Sequence, residues 1–248
     1  MAYTNSPLVS YTKLSPNHSG QRTHSIDRIT PHCVVGQCSV ETLGNIFLPT
    51  SRQASSNYGI GVDGRVGLYV EEKNRSWCSS SNANDQRAVT IECASDNTEP
   101  YAFKDVVYKR LIELCTDICR RNGKTKLLWL GDKTKTLGYT PKPDEMVLTV
   151  HRWFANKSCP GDWMYARMGD LASKVTAALG GTPSEQKQLY RVRKTWSDSK
   201  SQKGAYRVLA NAKACADKNP GYSVFDSDGK AVYTSGNGAA VVNGDDTF

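Results

Sequence analysis

Two strand-like segments with an amphipathic helix between them constrain the fold of this chain more than any other feature. Segments 88–93 (AVTIEC) and 126–130 (KLLWL) are short, apolar or β-branched and bounded by polar residues, which is typical of buried strands. Four apolar residues between them recur at helical spacing, namely Val107, Leu111, Leu114 and Ile118. Asn122 and Gly123 then predict the end of the helix. Strands that alternate with helices indicate an α/β domain with a single central mixed sheet flanked by helices.

Two further segments extend this prediction. Segment 58–70 (YGIGVDGRVGLYV) alternates apolar and small residues around Asp63 and Gly64, a dipeptide that favours a tight type I′ turn, so we expect a β-hairpin. Near residue 162 a second helix is predicted, with Asp162 as its N-cap, and it should continue to about Leu179.

A domain boundary is predicted after this second helix, because a pair of glycines followed by a proline is typical of a helix end and a linker. We therefore expect domains at residues 1–181 and 182–248. In the second domain the pattern predicts a strand near 190–194, a helix at about 201–218, a turn at 219–221, and two short strands around 227–229. This small α+β module has no cluster of titratable residues, which indicates binding rather than catalysis.

The net charge of +8 favours anionic partners, among them nucleic acids, anionic membranes and the bacterial cell wall. Nucleic acid is disfavoured because no basic run exceeds two residues and no aromatic-basic RNA motif occurs. Membrane insertion is disfavoured because no apolar run approaches the length of a membrane span. Residues 1–31 contain no apolar signal-peptide core, so we expect synthesis in the cytoplasm without a signal peptide.

The eight cysteines are expected to be mostly reduced and buried, because they form no dense, regular framework. Cys115 and Cys119 lie one helical turn apart, but no further ligand type accompanies them, so core packing is expected there. Only a cysteine with suitable neighbours should be considered a ligand.

Segment 151–162 (HRWFANKSCPGD) places His151, Lys157 and Cys159 in a predicted loop between a strand and a helix. Imidazole nitrogen and thiolate sulfur are zinc ligands, and a catalytic zinc site needs three protein ligands with one open position. The third ligand must come from elsewhere in the chain. His32 is the best candidate of the remaining three histidines, because the segment before it can end a strand.

Over roughly residues 16–180 the chain resembles the zinc amidase family that includes phage lysozyme-amidases, bacterial amidase autolysins and peptidoglycan recognition proteins. Four pieces in the same order carry the resemblance, namely 29–32 (ITPH), the segment 58–70, 84–92 (NDQRAVTIE), and His151 with Lys157, Cys159 and Pro160.

This resemblance implies a role for each matching residue. His32, His151 and Cys159 would bind zinc, which activates water and polarises the scissile carbonyl. Glu92 would act as the general base and acid. Four residues have a weaker assignment. Lys157 would stabilise the oxyanion or lie solvated in its loop, Tyr58 would orient water or substrate or pack in the hairpin, and Trp77 would contact substrate or pack in the core. Asn84 would also contact substrate.

The function implied by the resemblance is that of an N-acetylmuramoyl-L-alanine amidase of the phage endolysin type. It would cut the amide bond between N-acetylmuramic acid and L-alanine of peptidoglycan, with residues 182–248 holding the enzyme on the wall after release through a holin pore. Two alternatives stay open. The chain could be a peptidoglycan receptor that kept the fold and lost catalysis, or an amidase that acts on soluble muropeptides.

Overall fold

The computed structural model describes residues 3–180, 189–206, 208–226 and 229–235. The chain divides into two compact units, Met1–Ser184 and Glu185–Phe248. The boundary expected between residues 181 and 182 lies outside the described residues.

The larger unit contains nine strands and five α-helices among its described residues. The strands are β1 (Val9–Thr12), β2 (His18–Gln21), β3 (Arg28–Cys33), β4 (Tyr58–Ile60), β5 (Val66–Leu68), β6 (Asn74–Ser76), β7 (Ala88–Cys93), β8 (Lys126–Leu128) and β9 (Glu145–Leu148). The helices are α1 (Val40–Phe47), α2 (Asn82–Asp85), α3 (Asp105–Arg121), α4 (Lys133–Gly138) and α5 (Asp162–Ala178).

Seven of these strands form one mixed sheet in the order β1-β5-β4-β7-β3-β9-β8. Strands β4, β7, β3, β9 and β8 run parallel to one another, and β5 pairs antiparallel with β4. Strand β1 pairs parallel with β5 at the sheet edge, and β2 and β6 form a separate two-stranded sheet. The predicted α/β class with a single central mixed sheet flanked by helices is confirmed.

Helices α3 and α5 pack on each other and supply much of the main hydrophobic core. Leu111, Leu114 and Ile118 of α3 are fully buried, and each such side chain contributes about 1.5–3 kcal/mol through burial. The predicted end of α3 is confirmed, because Gly123 follows it with a left-handed φ of +68°. Helix α5 is also confirmed, but its N-cap is Gly161, and Asp162 is its first helical residue. Within the described part of the chain, no helix combines the length and apolar character needed to cross a membrane.

The predicted hairpin is present, but its turn is not of type I′. Strands β4 and β5 pair antiparallel, with Gly59 opposite Gly67. A type I′ turn needs two consecutive residues with positive φ. Only Gly64 has one, at +81°, and its N–H donates to the carbonyl of Gly61. The five residues between the strands therefore form a longer loop that ends on a left-handed glycine.

The smaller unit has a four-stranded antiparallel sheet in the order β11-β10-β12-β13. Its elements are β10 (Tyr190–Arg193), β11 (Gly204–Tyr206), α6 (Leu209–Asp217), β12 (Ser223–Phe225) and β13 (Ala231–Thr234). The predicted strands and the turn at 219–221 are confirmed, whereas residues 227 and 228 of the last predicted turn lie outside the described residues.

The helix predicted over 201–218 is wrong in its first part. Residues 204–206 form β11, where Tyr206 pairs with Tyr190 and Gly204 with Val192. Pairing with a neighbouring strand overrides the local helical pattern there, and tyrosine suits a strand. Helix α6 begins only at Leu209.

Candidate metal centre

His32 and Glu92 lie side by side on neighbouring parallel strands. Strand β3 pairs with β7 in a register that sets His32 opposite Glu92. Each residue is the last but one of its strand, so both lie at the carboxyl end of the sheet. Ligands of parallel sheets bind at this edge. Strand pairing therefore brings together two residues that are 60 positions apart in the sequence.

His151 and Cys159 reach the same edge from the loop that follows β9. His151 begins a short 3-10 turn (His151–Trp153), and the N–H of Arg152 donates to the carbonyl of Cys159. The Cys159 Sγ lies 3.3 Å from Nδ1 of His32, and the rings of His32 and His151 are 5.0 Å apart. One ligand atom from each of His32, His151 and Cys159 lies within 4.8 Å of the other two. The structure thus brings the three predicted ligands together.

The donor set and its surroundings fit a zinc ion. Two imidazoles and one thiol are ligand types that zinc prefers, and three protein ligands leave room for a solvent or substrate ligand. Nε2 of His32 and Oε2 of Glu92 are buried without a hydrogen-bond partner. A nearby cation would lower the electrostatic cost of burying the Glu92 carboxylate without taking Oε2 as a ligand.

The pKa values of the three predicted ligands also agree with metal binding. Burial lowers the pKa of His32 well below its usual value, and the neighbouring His151 lowers it further. The pKa of His151 is also lowered, mainly by burial and then by the charge of Lys157. Both imidazoles are therefore neutral, which is the form that binds metals. Burial raises the pKa of the Cys159 thiol well above its usual value, so a metal ion must displace its proton on binding.

This last feature predicts a pH dependence of metal affinity. The imidazoles stay neutral above about pH 6.5, their unperturbed pKa, so only the Cys159 proton competes with the metal at higher pH. We expect the affinity for zinc to rise about tenfold per pH unit between about pH 7 and 9, because one proton is released per ion. Chelator competition at several pH values measures this slope. A flat profile would mean that Cys159 is not a ligand.

Glu92 faces a cleft of about 470 Å³ beside the predicted metal ligands. Its side chain is only 16% exposed. Burial raises the pKa of Glu92 to about 7, against the opposing effects of a hydrogen bond from Cys78 and the charge of Arg52. A carboxyl group that titrates near neutrality can both accept and return a proton at physiological pH.

Lys157 and Trp77 both line this cleft. Lys157 is exposed, and its charge lies close enough to His151 to lower the pKa of that ring. Trp77 is half-buried, and its indole N–H donates to the Ser19 hydroxyl over 2.6 Å. The ring is therefore held in position at the side of the cleft.

Asn84 does not have the expected position of a substrate contact. Its side chain is fully buried. The amide oxygen accepts hydrogen bonds from Arg28 and Thr149, and the amide nitrogen donates to Thr30 and Ser79. Because these internal bonds occupy both ends of the amide, Asn84 connects the loop before α2 to strand β3 and does not present its amide to a ligand.

Tyr58 was expected near the metal, and the structure places it elsewhere. It pairs with Ile91, whereas Gly59 pairs with Glu92, and successive side chains of a strand point to opposite faces of a sheet. The Tyr58 ring is therefore buried in the main core, on the face opposite Glu92. Its hydroxyl donates to Glu72 over 2.6 Å and accepts from the N–H of Ser6 over 2.8 Å.

A substitution distinguishes this structural role of Tyr58 from a catalytic one. Tyr58→Phe leaves the buried Ser6 N–H without a partner, and we expect the free energy of unfolding to fall by about 1–3 kcal/mol. The hydrolysis that the family resemblance implies should be unchanged at a temperature where the variant is folded. Tyr139→Phe is the matched control, because it also removes a hydrogen bond to a glutamate but at a half-buried position, so it should cost less. A large loss of hydrolysis without a loss of stability would restore the catalytic assignment.

Sequence reasoning missed several residues that line the cleft, among them Arg52, Cys78 and Ser80. The Ser80 hydroxyl lies 2.9 Å from Nε2 of His151, and the Cys78 Sγ lies 3.8 Å from Oε1 of Glu92. The only signal in the sequence was the position of Cys78 next to Trp77. No spacing rule connects these residues to His151 or Glu92.

The chain matches a known protein family over much of its length. A family model described as N-acetylmuramoyl-L-alanine amidase matches residues 17–162. No curated protein sequence matches the chain.

Several solved structures resemble the chain at low sequence identity. LysC from Clostridium intestinale, described as an N-acetylmuramoyl-L-alanine amidase, is 16% identical, with 70% of this chain and 96% of that chain covered and a TM-score of 0.43. An AmpD derivative is 16% identical, with 72% and 99% covered and a TM-score of 0.45. The PlyG catalytic domain is 16% identical, with 71% and 98% covered and a TM-score of 0.45.

Proposed function

The chain belongs to the N-acetylmuramoyl-L-alanine amidase family, and we propose that it is a zinc-dependent enzyme that hydrolyses the amide bond between N-acetylmuramic acid and L-alanine in bacterial peptidoglycan. The observation that carries this proposal is the meeting of His32, His151 and Cys159 next to Glu92, where His151 and Glu92 line an open cleft.

His32, His151 and Cys159 would hold the zinc ion, and Glu92 would move the proton. Bound zinc supplies Lewis acidity to the scissile carbonyl and to water. Glu92 takes a proton from the attacking water and gives it to the leaving amine of L-alanine. A pKa of about 7 suits both steps, because the carboxylate and the carboxylic acid are then both accessible.

Lys157 is the residue we assign to the developing negative charge. Its ammonium group is exposed at the cleft, on the side of His151. A cation in this position stabilises the oxyanion of the tetrahedral intermediate more than it stabilises the neutral amide. Trp77 forms one side of the cleft and offers an apolar ring face to the substrate.

The reaction is tested by identifying the chain ends that purified cell walls release. Hydrolysis of the proposed bond produces new alanine amino groups without new reducing sugars. New reducing sugars would instead identify a glycosidase. Binding to walls with neither kind of end would identify a receptor that lacks catalysis. Activity on soluble muropeptides but not on walls would identify an enzyme of muropeptide turnover.

The smaller unit is proposed as a cell-wall-binding module with a basic, aromatic face. In β10, Val192 points into the core, so Arg191 and Arg193 share the opposite side of the strand. Both guanidinium groups lie over the ring of Trp196, at 5.8 and 5.1 Å from its centre. Anionic wall polymers suit such a face, because charge attraction and stacking can act together.

Paired substitutions in the full chain test this module. Arg191→Gln with Arg193→Gln should lower the fraction of protein that sediments with walls and weaken its dependence on salt. Lys200→Gln with Lys218→Gln is the matched control, since it removes the same charge from exposed positions outside the Trp196 face and should bind like the wild type. Equal losses in both pairs would mean that net charge, not this face, binds the wall.

We propose that this chain is a phage endolysin, with an amidase unit followed by a wall-binding unit. The enzyme would act on the cell wall from the cytoplasmic side after release through a holin pore. Coexpression with a holin tests this: lysis should require both proteins, and lysis by this chain alone would contradict the proposed release.

A further inference from the structure

A second group of potential metal ligands overlaps the first one. One ligand atom from each of His32, Cys78 and Glu92 lies within 4.8 Å of the other two. His32 belongs to both groups, and the proposed function gives Glu92 a role in proton transfer. It gives no role to Cys78.

Cys78 lies beside the cleft in a loop that is held by hydrogen bonds. The backbone N–H groups of Cys78 and Ser79 donate to the buried carboxylate of Asp85 over 3.0 to 3.3 Å. These bonds fix the loop after β6, and Cys78 lines the cleft together with Glu92. The thiol therefore lies beside the carboxylate, with its Sγ 3.8 Å from Oε1 of Glu92.

The carboxylate of Glu92 has an unused oxygen. Oε1 lies 3.8 Å from the Cys78 Sγ, whereas Oε2 is buried without any hydrogen-bond partner. An unsatisfied buried oxygen next to a thiol is costly, and a divalent cation would satisfy both groups. A sulfur ligand beside an oxygen ligand selects thiophilic ions such as Zn²⁺ and Cd²⁺ over Mg²⁺ and Ca²⁺.

We propose that Cys78 and Glu92 form a second site for a thiophilic divalent cation, next to the His32, His151 and Cys159 centre. When His32 serves the first ion, two protein donors remain for the second ion, which predicts weaker binding than at the three-donor centre. Binding replaces the proton of the Cys78 thiol with the metal ion and releases that proton to solvent. No change of oxidation state takes place.

The second ion has a consequence for catalysis that rests on the proposed function. An ion bound to Glu92 occupies the carboxylate that should accept the proton of the attacking water. Excess zinc or cadmium should therefore inhibit an enzyme that needs one zinc ion. The inhibition should depend on Cys78, which does not itself take part in the proposed hydrolysis.

Cadmium titration of the full-length protein tests the site without any measurement of activity. Thiolate-to-cadmium charge-transfer absorption reports on sulfur ligation, and equilibrium dialysis counts the bound ions. The wild type should bind a tight ion and then a weaker one, each with an increase in absorption. Cys78→Ser should lose the weaker ion and its absorption increase while it keeps the tight one.

Two further variants separate Cys78 from general effects. Cys38→Ser is the matched control, because Cys38 is also a half-buried thiol close enough to Glu92 to feel its charge, and it should keep both ions. Glu92→Gln should lower the affinity for the second ion while the Cys78 thiol stays in place. This variant tests the site if Cys78→Ser does not fold. The proposal is overturned if the wild type binds a single ion, or if folded Cys78→Ser or Glu92→Gln keeps the second one unchanged.

The activity arm compares inhibition by added zinc, expressed as a fraction of the activity that each variant shows with one zinc ion. Wild type and Cys38→Ser should lose activity as the second ion binds, and Cys78→Ser should resist. Equal inhibition of Cys78→Ser would refute the inhibitory role. If no variant releases alanine amino groups, the proposed function fails, but the cadmium titration still decides whether the second site exists.

Discussion

Replacing Cys159 by serine is expected to remove most of the zinc affinity and, with it, hydrolysis. Structural zinc sites with four protein ligands bind with about 10–16 kcal/mol, so one ligand represents roughly 3 kcal/mol, or roughly two orders of magnitude in affinity. Cys159→Ser should lower the zinc affinity by this margin, because serine at neutral pH is a poor replacement for a thiolate. Replacing a cysteine that is not a ligand should leave the zinc affinity unchanged. Chelator competition measures the affinity, and release of alanine amino groups from walls measures hydrolysis.

The control for this substitution is Cys215→Ser. Cys215 is a half-buried cysteine of the smaller unit and packs against its hydrophobic core, so its replacement tests the loss of a thiol without the loss of a ligand. Zinc affinity should be unchanged in this variant. If folded Cys159→Ser retained zinc with wild-type affinity, the thiol could not be a ligand, and the proximity of Sγ to His32 Nδ1 would have to be a packing contact.

The local sequence pattern was sufficient to predict the strand and the helix that surround the site. Strand β7 spans the residues that its apolar, β-branched pattern predicted, and α3 ends where Asn122 and Gly123 predicted. Both predictions depend on neighbours in sequence, such as apolar spacing and a left-handed glycine. The helix expected from residue 201 failed because its first residues pair with β10, which is a contact across sequence and not a local preference.

The site itself was predictable only where the family resemblance extended the local patterns. Spacing alone connected His151 to Cys159, but it could not connect them to His32, because that meeting depends on the pairing of β3 with β7 and β9. Tyr58 was misplaced because an offset of one residue in a strand moves a side chain to the other face of the sheet. Cys78 reaches Glu92 through a loop whose course is fixed by hydrogen bonds to Asp85, and no sequence pattern specifies this course.

Glu92→Gln is the second substitution with a large expected effect. Glutamine has nearly the shape of glutamate but cannot accept the proton of the attacking water, so we expect kcat to fall by about 10²- to 10⁴-fold, the usual contribution of general acid-base catalysis. Zinc should remain bound, because His32, His151 and Cys159 are unchanged. Alanine release measured beside zinc content separates this variant from Cys159→Ser, which should lose both.

The pH dependence of hydrolysis distinguishes the loss of the Glu92 carboxylate from a loss of structure. Burial raises the pKa of Glu92 to about 7 and a bound zinc ion would lower it, so wild-type hydrolysis should rise with pH up to about 7 as this carboxyl group loses its proton. The residual activity of Glu92→Gln should lack this rise. Glu99→Gln, at an exposed position, is the control and should keep both rate and profile. If Glu92→Gln hydrolysed walls at the wild-type rate, the proton would have to move through another group, and the cleft around Glu92 would serve binding alone.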